Sequence, residues 1–143
     1  MVNYNKMIIY KLCCKNPEIK DIYVGHTCNH IRRKYEHKKC SINPNSKDYN
    51  CYVYKFIRDN GGFQNWDMTM IEEYPCENKL EAERRERYWI ETLNSTLNQK
   101  IPTRMPSEKF KCECGCEITN SHQARHKRTN KHLELLKLKE TET

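Results

Sequence analysis

The hydrophobic and polar positions in the first two thirds of the chain form six short patterns of two kinds. Runs that are rich in β-branched and aromatic residues, such as KMIIYKLC and DIYVG, predict strands, because these side chains suit a pleated, half-buried surface. Longer amphipathic stretches predict helices. In chain order, the patterns predict strands at residues 6–13 and 21–25, helices at 30–40 and 49–59, a strand at 66–74 and a helix at 80–93. This order predicts a small sheet with helices packed over it.

One acidic residue in the last predicted helix lies where an acid is not expected. At about 100° per residue, Ala82, Trp89 and Ile90 share one side of the helix, and Glu86 falls inside this apolar stripe. A carboxylate on a packed face must be paired, hydrogen-bonded or bound to a cation. Two interpretations follow from the helix alone: a salt bridge to a basic side chain such as Arg33, and a metal-binding or catalytic role.

Two tyrosines and a pair of basic residues on the first predicted helix are further candidates for catalytic or binding roles. Strand alternation places Tyr10 and Tyr23 on defined faces of the first two strands, where half-buried aromatic residues are common. On the first helix, Arg33 and His37 are four residues apart and therefore share a face. Such a pair suits either a solvated basic helix or a phosphate clamp with a titratable neighbour.

Composition narrows the possible partners. The chain has 143 residues, a net charge of +7, 36% hydrophobic residues and a mean hydropathy of −1.04, which predict a polyanionic partner and a core too thin for a small-molecule cofactor. The sequence has no apolar run of membrane-spanning length and no signal-peptide pattern at its N-terminus. We therefore expect an intracellular protein, cytoplasmic or nuclear rather than secreted, with reduced cysteines and no membrane partner. The sequence does not indicate an oligomeric state.

The last third of the chain has a different composition. Residues 99–109 contain two prolines and three basic residues and predict a linker. Residues 110–143 follow as a small module, with residues 1–98 as the main domain. Basic side chains in the module suit phosphate contacts or a solvated surface.

The small module carries a Cys/His pattern suited to a structural metal. Two soft and two imidazole ligands predict a tetrahedral Zn²⁺ site formed by Cys112, Cys114, His126 and His132. The arrangement resembles zinc fingers of the Cys₂His₂ kind, although Cys-x-Cys is a tighter spacing. Either Cys116 or His122 could replace one of these ligands.

The main domain resembles a known enzyme family. It is similar to the GIY-YIG nucleases, and to the catalytic domains of phage homing endonucleases in particular, through Ile8-Ile9-Tyr10, Tyr23-Val24-Gly25, Arg33, His37 and Glu86. The resemblance implies an α/β (α+β) fold, the GIY-YIG fold, with a central three-stranded antiparallel sheet flanked by helices. A small zinc-finger-like module follows this fold in the present chain.

The same resemblance implies a reaction and a role for each matched residue. The protein would be a divalent-metal-dependent DNA endonuclease, with Glu86 as the protein ligand of Mg²⁺ or Mn²⁺. Arg33 would contact the scissile phosphate, and His37 would assist proton transfer or orient water. Tyr10, with Tyr23 beside it, would act as the general base or would only orient the attacking water.

Two positions depart from the family pattern. Ile8 replaces the glycine of the first motif. The resemblance also implies an asparagine after the last helix, for which Asn98 is the nearest candidate, Asn94 is an alternative, and direct alignment places Ile101 there.

The alternative function is a catalytically inactive nucleic-acid-binding protein with a zinc-finger tail, and a third is a protein-interaction finger on an inactive scaffold.

Overall fold

A central antiparallel sheet organises the N-terminal part of the chain in the computed structural model, which describes residues 1–141. The chain forms two compact units, Met1–Thr103 and a second unit that begins at Arg104. The division falls inside the stretch 99–109.

The sheet of the first unit has three strands in the order β2-β1-β3, all antiparallel. The strands are β1 at Ile8–Cys14, β2 at Ile22–Thr27 and β3 at Trp66–Glu73. The helices are α1 at His30–Ile42, α2 at Tyr52–Asp59 and α3 at Lys79–Thr92. The predicted three-stranded antiparallel sheet flanked by helices is therefore confirmed.

Local hydrogen bonds explain where the helices begin and end. The side chain of Asn29 caps α1 by accepting a hydrogen bond from the backbone N–H of Arg32 at 3.0 Å. Asn78 caps α3 in the same way. After α2, the chain turns through Gly61 with φ of +93°, a conformation that favours glycine. These caps fix the direction in which each helix leaves the sheet.

The two faces of the sheet pack against different helices. Tyr10 and Leu12 on one face pack into a core with Tyr54 and Ile57 of α2. On the other face, Ile9 and Val24 pack against Ile90 of α3. Because alternate residues of a strand point to opposite faces, β1 contributes to both cores. The first unit is therefore a sheet between two helical layers.

The second unit is a hairpin followed by two helices. The hairpin pairs β4 at Lys109–Lys111 with β5 at Glu117–Thr119, and the helices are α4 at Gln123–His126 and α5 at Asn130–Thr141. The sequence predicted a turn and a helix here but not the paired strands. Across residues 1–141, no helix is both long and apolar enough to cross a membrane.

Gly25 is expected to be intolerant of a side chain, because the ring of Tyr10 lies against it. A Cβ atom at Gly25 would lie 2.5 Å from Tyr10 Oη and 2.7 Å from Tyr10 Cζ. We predict that Gly25→Ala lowers the free energy of unfolding in urea by about 1–3 kcal/mol through overpacking. In a Tyr10→Leu background, which removes the outer part of the ring, the same substitution should have a smaller effect. An equal loss in both backgrounds would contradict this packing argument.

Candidate functional site

The hydroxyl group of Tyr10 lies at the centre of a buried polar cluster. Strand β1 places the Tyr10 ring against Gly25 of β2, its cross-strand partner, and the side chain has no exposed surface. Arg33 Nε donates a hydrogen bond to Tyr10 Oη at 3.0 Å. His37 Nε2 lies 2.7 Å from the same oxygen. The structure therefore brings together three residues that the sequence predicted for the site.

The other ring nitrogen of His37 contacts a residue of α2. His37 is fully buried, and its Nδ1 atom lies 2.9 Å from Tyr54 Oη. The ring of Tyr23 packs edge-on against His37, with 5.7 Å between the ring centroids. Burial, together with the positive charge of Arg33, lowers the pKa of His37 to about 3. The imidazole is therefore neutral at physiological pH.

Burial also determines the protonation state of the two candidate tyrosines. It raises the pKa of Tyr10 well above its usual range, and the neighbouring Tyr23 adds to the increase while Arg33 opposes it. Burial raises the pKa of Tyr23 as well, and the negative charge of Glu86 adds to that effect. Both phenols are therefore protonated at neutral pH, because the stabilising effect of Arg33 on a phenolate is smaller than the effect of burial.

Arg33 remains fully charged in this surrounding. Burial acts to lower the pKa of Arg33, but the interactions with Tyr10, Tyr23 and Tyr54 together outweigh it, and the pKa is raised above its usual range. A second arm of the guanidinium, Nη1, contacts Glu36 Oε2 at 3.2 Å on the same helix. The site thus holds a permanent cation between two neutral phenols.

Glu86 reaches the site from the opposite face of the sheet. Its side chain is 12% exposed, and its Oε2 atom contacts His26 Nδ1 at the end of β2. The charge of Glu86 raises the pKa of both Tyr10 and Tyr23, so the carboxylate is within electrostatic range of the phenols. Glu86 is therefore neither solvated nor paired with Arg33; its partner is a histidine.

His26 is a residue that the sequence analysis missed. It directly follows Gly25, and strand alternation places it on the same face as Val24, the face that α3 covers. That alternation was the signal that could have identified a partner for Glu86. The sequence alone did not show which helix covers that face of the sheet.

Asn98 binds the backbone of β2 rather than the phenols or Arg33. Its Oδ1 atom accepts a hydrogen bond from the Val24 N–H at 2.9 Å, and its Nδ2 atom donates to the Val24 carbonyl at 2.8 Å. Ser95 Oγ also donates to Asn98 Oδ1. The alternative Asn94 has φ of +49° in the turn after α3, and Ile101 packs with the core under α3. Asn98 is thus suited to holding the edge strand between Tyr23 and Gly25.

The second unit contains a compact Cys/His cluster. One ligand atom from each of four residues lies within 4.8 Å of the others: Cys112, Cys114, His126 and His132. Cys114 Sγ is 3.2 Å from His126 Nε2, and Cys112 Sγ is 3.6 Å from His132 Nδ1. Two thiols and two imidazoles form a donor set that suits Zn²⁺. These are the four residues predicted from the sequence.

The hairpin turn and the helix start position these donors. Cys112 N–H bonds to the Cys116 carbonyl at 2.8 Å, and Gly115 has φ of +94° in the turn. Burial acts to raise the pKa of Cys114, but hydrogen bonds from the Cys116 backbone and from both histidines outweigh it and lower the pKa to about 6. Cys116 is not one of these four grouped donors, although its side chain interacts with that of Cys114, and His122, the other alternative, contacts Thr119.

The neutral, buried state of His37 predicts a specific loss of stability in acid. Below about pH 6.5 the unfolded chain protonates this histidine, whereas the folded chain keeps it neutral down to a pKa of about 3. The unfolded state then binds more protons, so stability falls as the pH falls through this window. From about pH 7.5 to about pH 5, the loss through His37 is about 2 kcal/mol. His37→Gln should lack this part of the pH dependence of the urea unfolding free energy; equal pH dependence in the two proteins would contradict the assignment.

The comparisons with known proteins agree with this geometry. The sequence matches the GIY-YIG catalytic domain over residues 6–100, which is most of the first unit. No curated protein and no solved structure gave a significant match. The family match covers all the residues that surround Tyr10 and Glu86, and it covers more than half of the chain. The chain belongs to the GIY-YIG catalytic domain family.

Proposed function

We propose that this protein is a divalent-metal-dependent DNA endonuclease that hydrolyses phosphodiester bonds. GIY-YIG domains are nucleases, so the substrate is a nucleic acid. The observation that carries the proposal is the convergence of Arg33, Tyr10 and Glu86 near the start of β1 and the end of β2, where Arg33 donates to Tyr10 and the charge of Glu86 acts on the pKa of Tyr10. A net charge of +7 supports a polyanionic substrate.

Arg33 is the residue proposed to bind the scissile phosphate. Its guanidinium stays charged, since the contact with Tyr10 keeps its pKa above the usual range. The planar fork can contact two phosphate oxygens at once and stabilise the charge that develops on them. The Tyr10 hydrogen bond fixes Nε and thereby the plane of the fork.

Tyr10 is proposed to orient the attacking water as a neutral phenol. Burial raises its pKa, which disfavours a resting phenolate and supports the orienting role over the general-base role. Arg33 Nε donates to one lone pair of the hydroxyl oxygen, and His37 Nε2 lies 2.7 Å from the same oxygen. The remaining lone pair is the one that would accept a hydrogen bond from a water molecule, and because the Tyr10 side chain has no exposed surface, the site must open to admit that water. His37 would assist by accepting the Tyr10 hydrogen bond.

Glu86 is the residue proposed to hold the catalytic ion. In residues 1–141, the partner found for this carboxylate is His26 at Oε2, which leaves Oε1 for a further ligand. One carboxylate suits Mg²⁺ or Mn²⁺, because Mg²⁺ keeps several waters and uses substrate oxygens as further ligands. The bound ion would supply Lewis-acid polarisation of the phosphodiester. His26 orients the carboxylate, as hydrogen-bonded partners of metal ligands commonly do.

We further propose that the second unit binds Zn²⁺ and helps to hold DNA. In its described part, the buried residues are Cys112, Cys114 and His132, so the donor set itself occupies the position of a core. Exposed basic residues surround the two histidines and could contact phosphates: Arg125, Lys127, Arg128 and Lys131. Thiolate ligands require reduced cysteines, which supports a reducing compartment for this protein.

Cleavage of supercoiled plasmid with Mg²⁺ or Mn²⁺ tests the endonuclease proposal. We expect the wild-type protein to convert the plasmid to nicked or linear DNA. Glu86→Gln and Arg33→Ala should each reduce the rate by about 100-fold or more, since each removes a charge that acts on the reacting phosphate. Both variants should still shift DNA on a native gel.

Matched controls come from the same two helices. Glu83→Gln on α3 and Arg32→Ala on α1 remove the same kinds of charge from residues that pair within their own helix, Glu83 with Lys79 and Arg32 with Glu36, and they should keep near wild-type rates. A wild-type protein that shifts the plasmid without cutting it would favour the inactive nucleic-acid-binding alternative.

Metal analysis of the purified chain tests the zinc proposal. We expect about one zinc per molecule. Cys114→Ala should lose the metal and make residues 104–143 sensitive to protease, because the unit has little other buried surface. His122→Ala, which alters an exposed histidine of the same unit, should retain it. A chain without zinc, or one that loses it equally in both variants, would refute the assignment.

A further inference from the structure

Tyr54 is a buried tyrosine to which neither the family resemblance nor the proposed reaction assigns a role. It lies on α2 with 6% of its surface exposed, and its ring packs in the core with Tyr10 and Leu12. Its hydroxyl oxygen lies 2.9 Å from His37 Nδ1. Cys40 on α1 contributes, after burial, to raising the pKa of Tyr54 above its usual range. Tyr54 therefore links α2 to the buried side of the active site.

Counting donors and acceptors assigns a direction to each hydrogen bond of His37. Arg33 can only donate, so the Tyr10 oxygen acts as acceptor in that bond. The hydroxyl hydrogen of Tyr10, which is fully buried, needs an acceptor of its own, and His37 Nε2 at 2.7 Å provides one. Nε2 must then carry a lone pair rather than a hydrogen.

The remaining ring nitrogen follows from the charge of the imidazole. His37 is neutral because burial lowers its pKa, so it carries one hydrogen, and that hydrogen must be on Nδ1. Nδ1–H can only donate, and Tyr54 Oη is positioned to accept. The three hydrogen bonds that join Arg33, Tyr10, His37 and Tyr54 then have consistent directions.

We propose that Tyr54 is a positioning residue that holds His37 as the Nδ1–H tautomer and so keeps Nε2 available to the Tyr10 hydroxyl. The effect of Tyr54 on DNA cleavage rests on the proposed endonuclease function. With Nδ1 occupied, the Tyr10 hydroxyl hydrogen turns inward, and an oxygen lone pair is left for the attacking water. If Nε2 carried the hydrogen instead, both His37 and Arg33 would donate to Tyr10, and the inward acceptor would be lost.

The variant Tyr54→Phe tests this directly, because it removes the hydroxyl oxygen and keeps the ring that packs in the core. In long-range ¹H–¹⁵N spectra of the full-length protein, we expect wild-type His37 to show a protonated Nδ1 and an unprotonated Nε2. In Tyr54→Phe, the population should shift towards Nε2–H, because Nδ1–H loses its acceptor. The rate constant for plasmid cleavage should fall about tenfold with KM unchanged.

Tyr52→Phe is the matched control, since it removes the same atom from an exposed tyrosine two residues earlier on α2. It should change neither the His37 tautomer nor the cleavage rate. A wild-type His37 in the Nε2–H form overturns the proposal, even if Tyr54→Phe does not fold. An unchanged tautomer and rate in a folded Tyr54→Phe also overturns it. A wild-type protein that does not cut DNA refutes the endonuclease function instead, and the spectra then still decide the hydrogen-bond assignment.

Discussion

The requirement that the buried hydroxyl of Tyr10 be hydrogen-bonded determines much of the catalytic unit. A buried polar group without a partner is strongly unfavourable, so Tyr10 needs both Arg33 and His37 in place. Both partners lie on one face of α1, which must therefore pack over this point of the sheet. Gly25 must lack a side chain because the Tyr10 ring occupies the space of its Cβ. The cluster that is proposed to orient water is thus also the contact that aligns α1 with β1 and β2. The same side chains therefore serve both the proposed reaction and the packing of the helix on the sheet.

The carboxylate of the site comes from the other face of the sheet. Glu86 belongs to α3, which packs on Ile9 and Val24, whereas Arg33 belongs to the helical layer on the Tyr10 face. A cation and an anion from opposite layers can act at one place only if the edge strand between them is held firmly. Asn98 provides this by bonding both backbone groups of Val24, at 2.9 and 2.8 Å, in the way a neighbouring strand would. This gives the asparagine after the last helix a physical role at a distance from the phenols.

The sequence predicted those features that depend on local periodicity and short spacings. Strand alternation identified the sheet, and the four-residue spacing placed Arg33 and His37 on one helix face. The apolar stripe around Glu86 correctly indicated a carboxylate that needs a partner, but it could not identify that partner. His26 and Tyr54 were missed because each becomes important only through packing between segments that are distant in sequence, 60 residues apart for His26 and Glu86 and 17 for His37 and Tyr54. Neither pairing leaves a periodic signal within a single element.

The two units differ in what stabilises their folds. The first unit buries aromatic and aliphatic side chains on both faces of its sheet, and this apolar contact holds the polar cluster of Tyr10 in place. In the described part of the second unit, the buried positions are two cysteines and a histidine, which cannot provide comparable apolar stabilisation. Together with His126, their ligand atoms lie within 4.8 Å of one another, which is close enough for all four to bind one ion. A bound ion would satisfy all four donors at once and replace the missing core, so the stability of this unit would follow the supply of metal and that of the first unit would not.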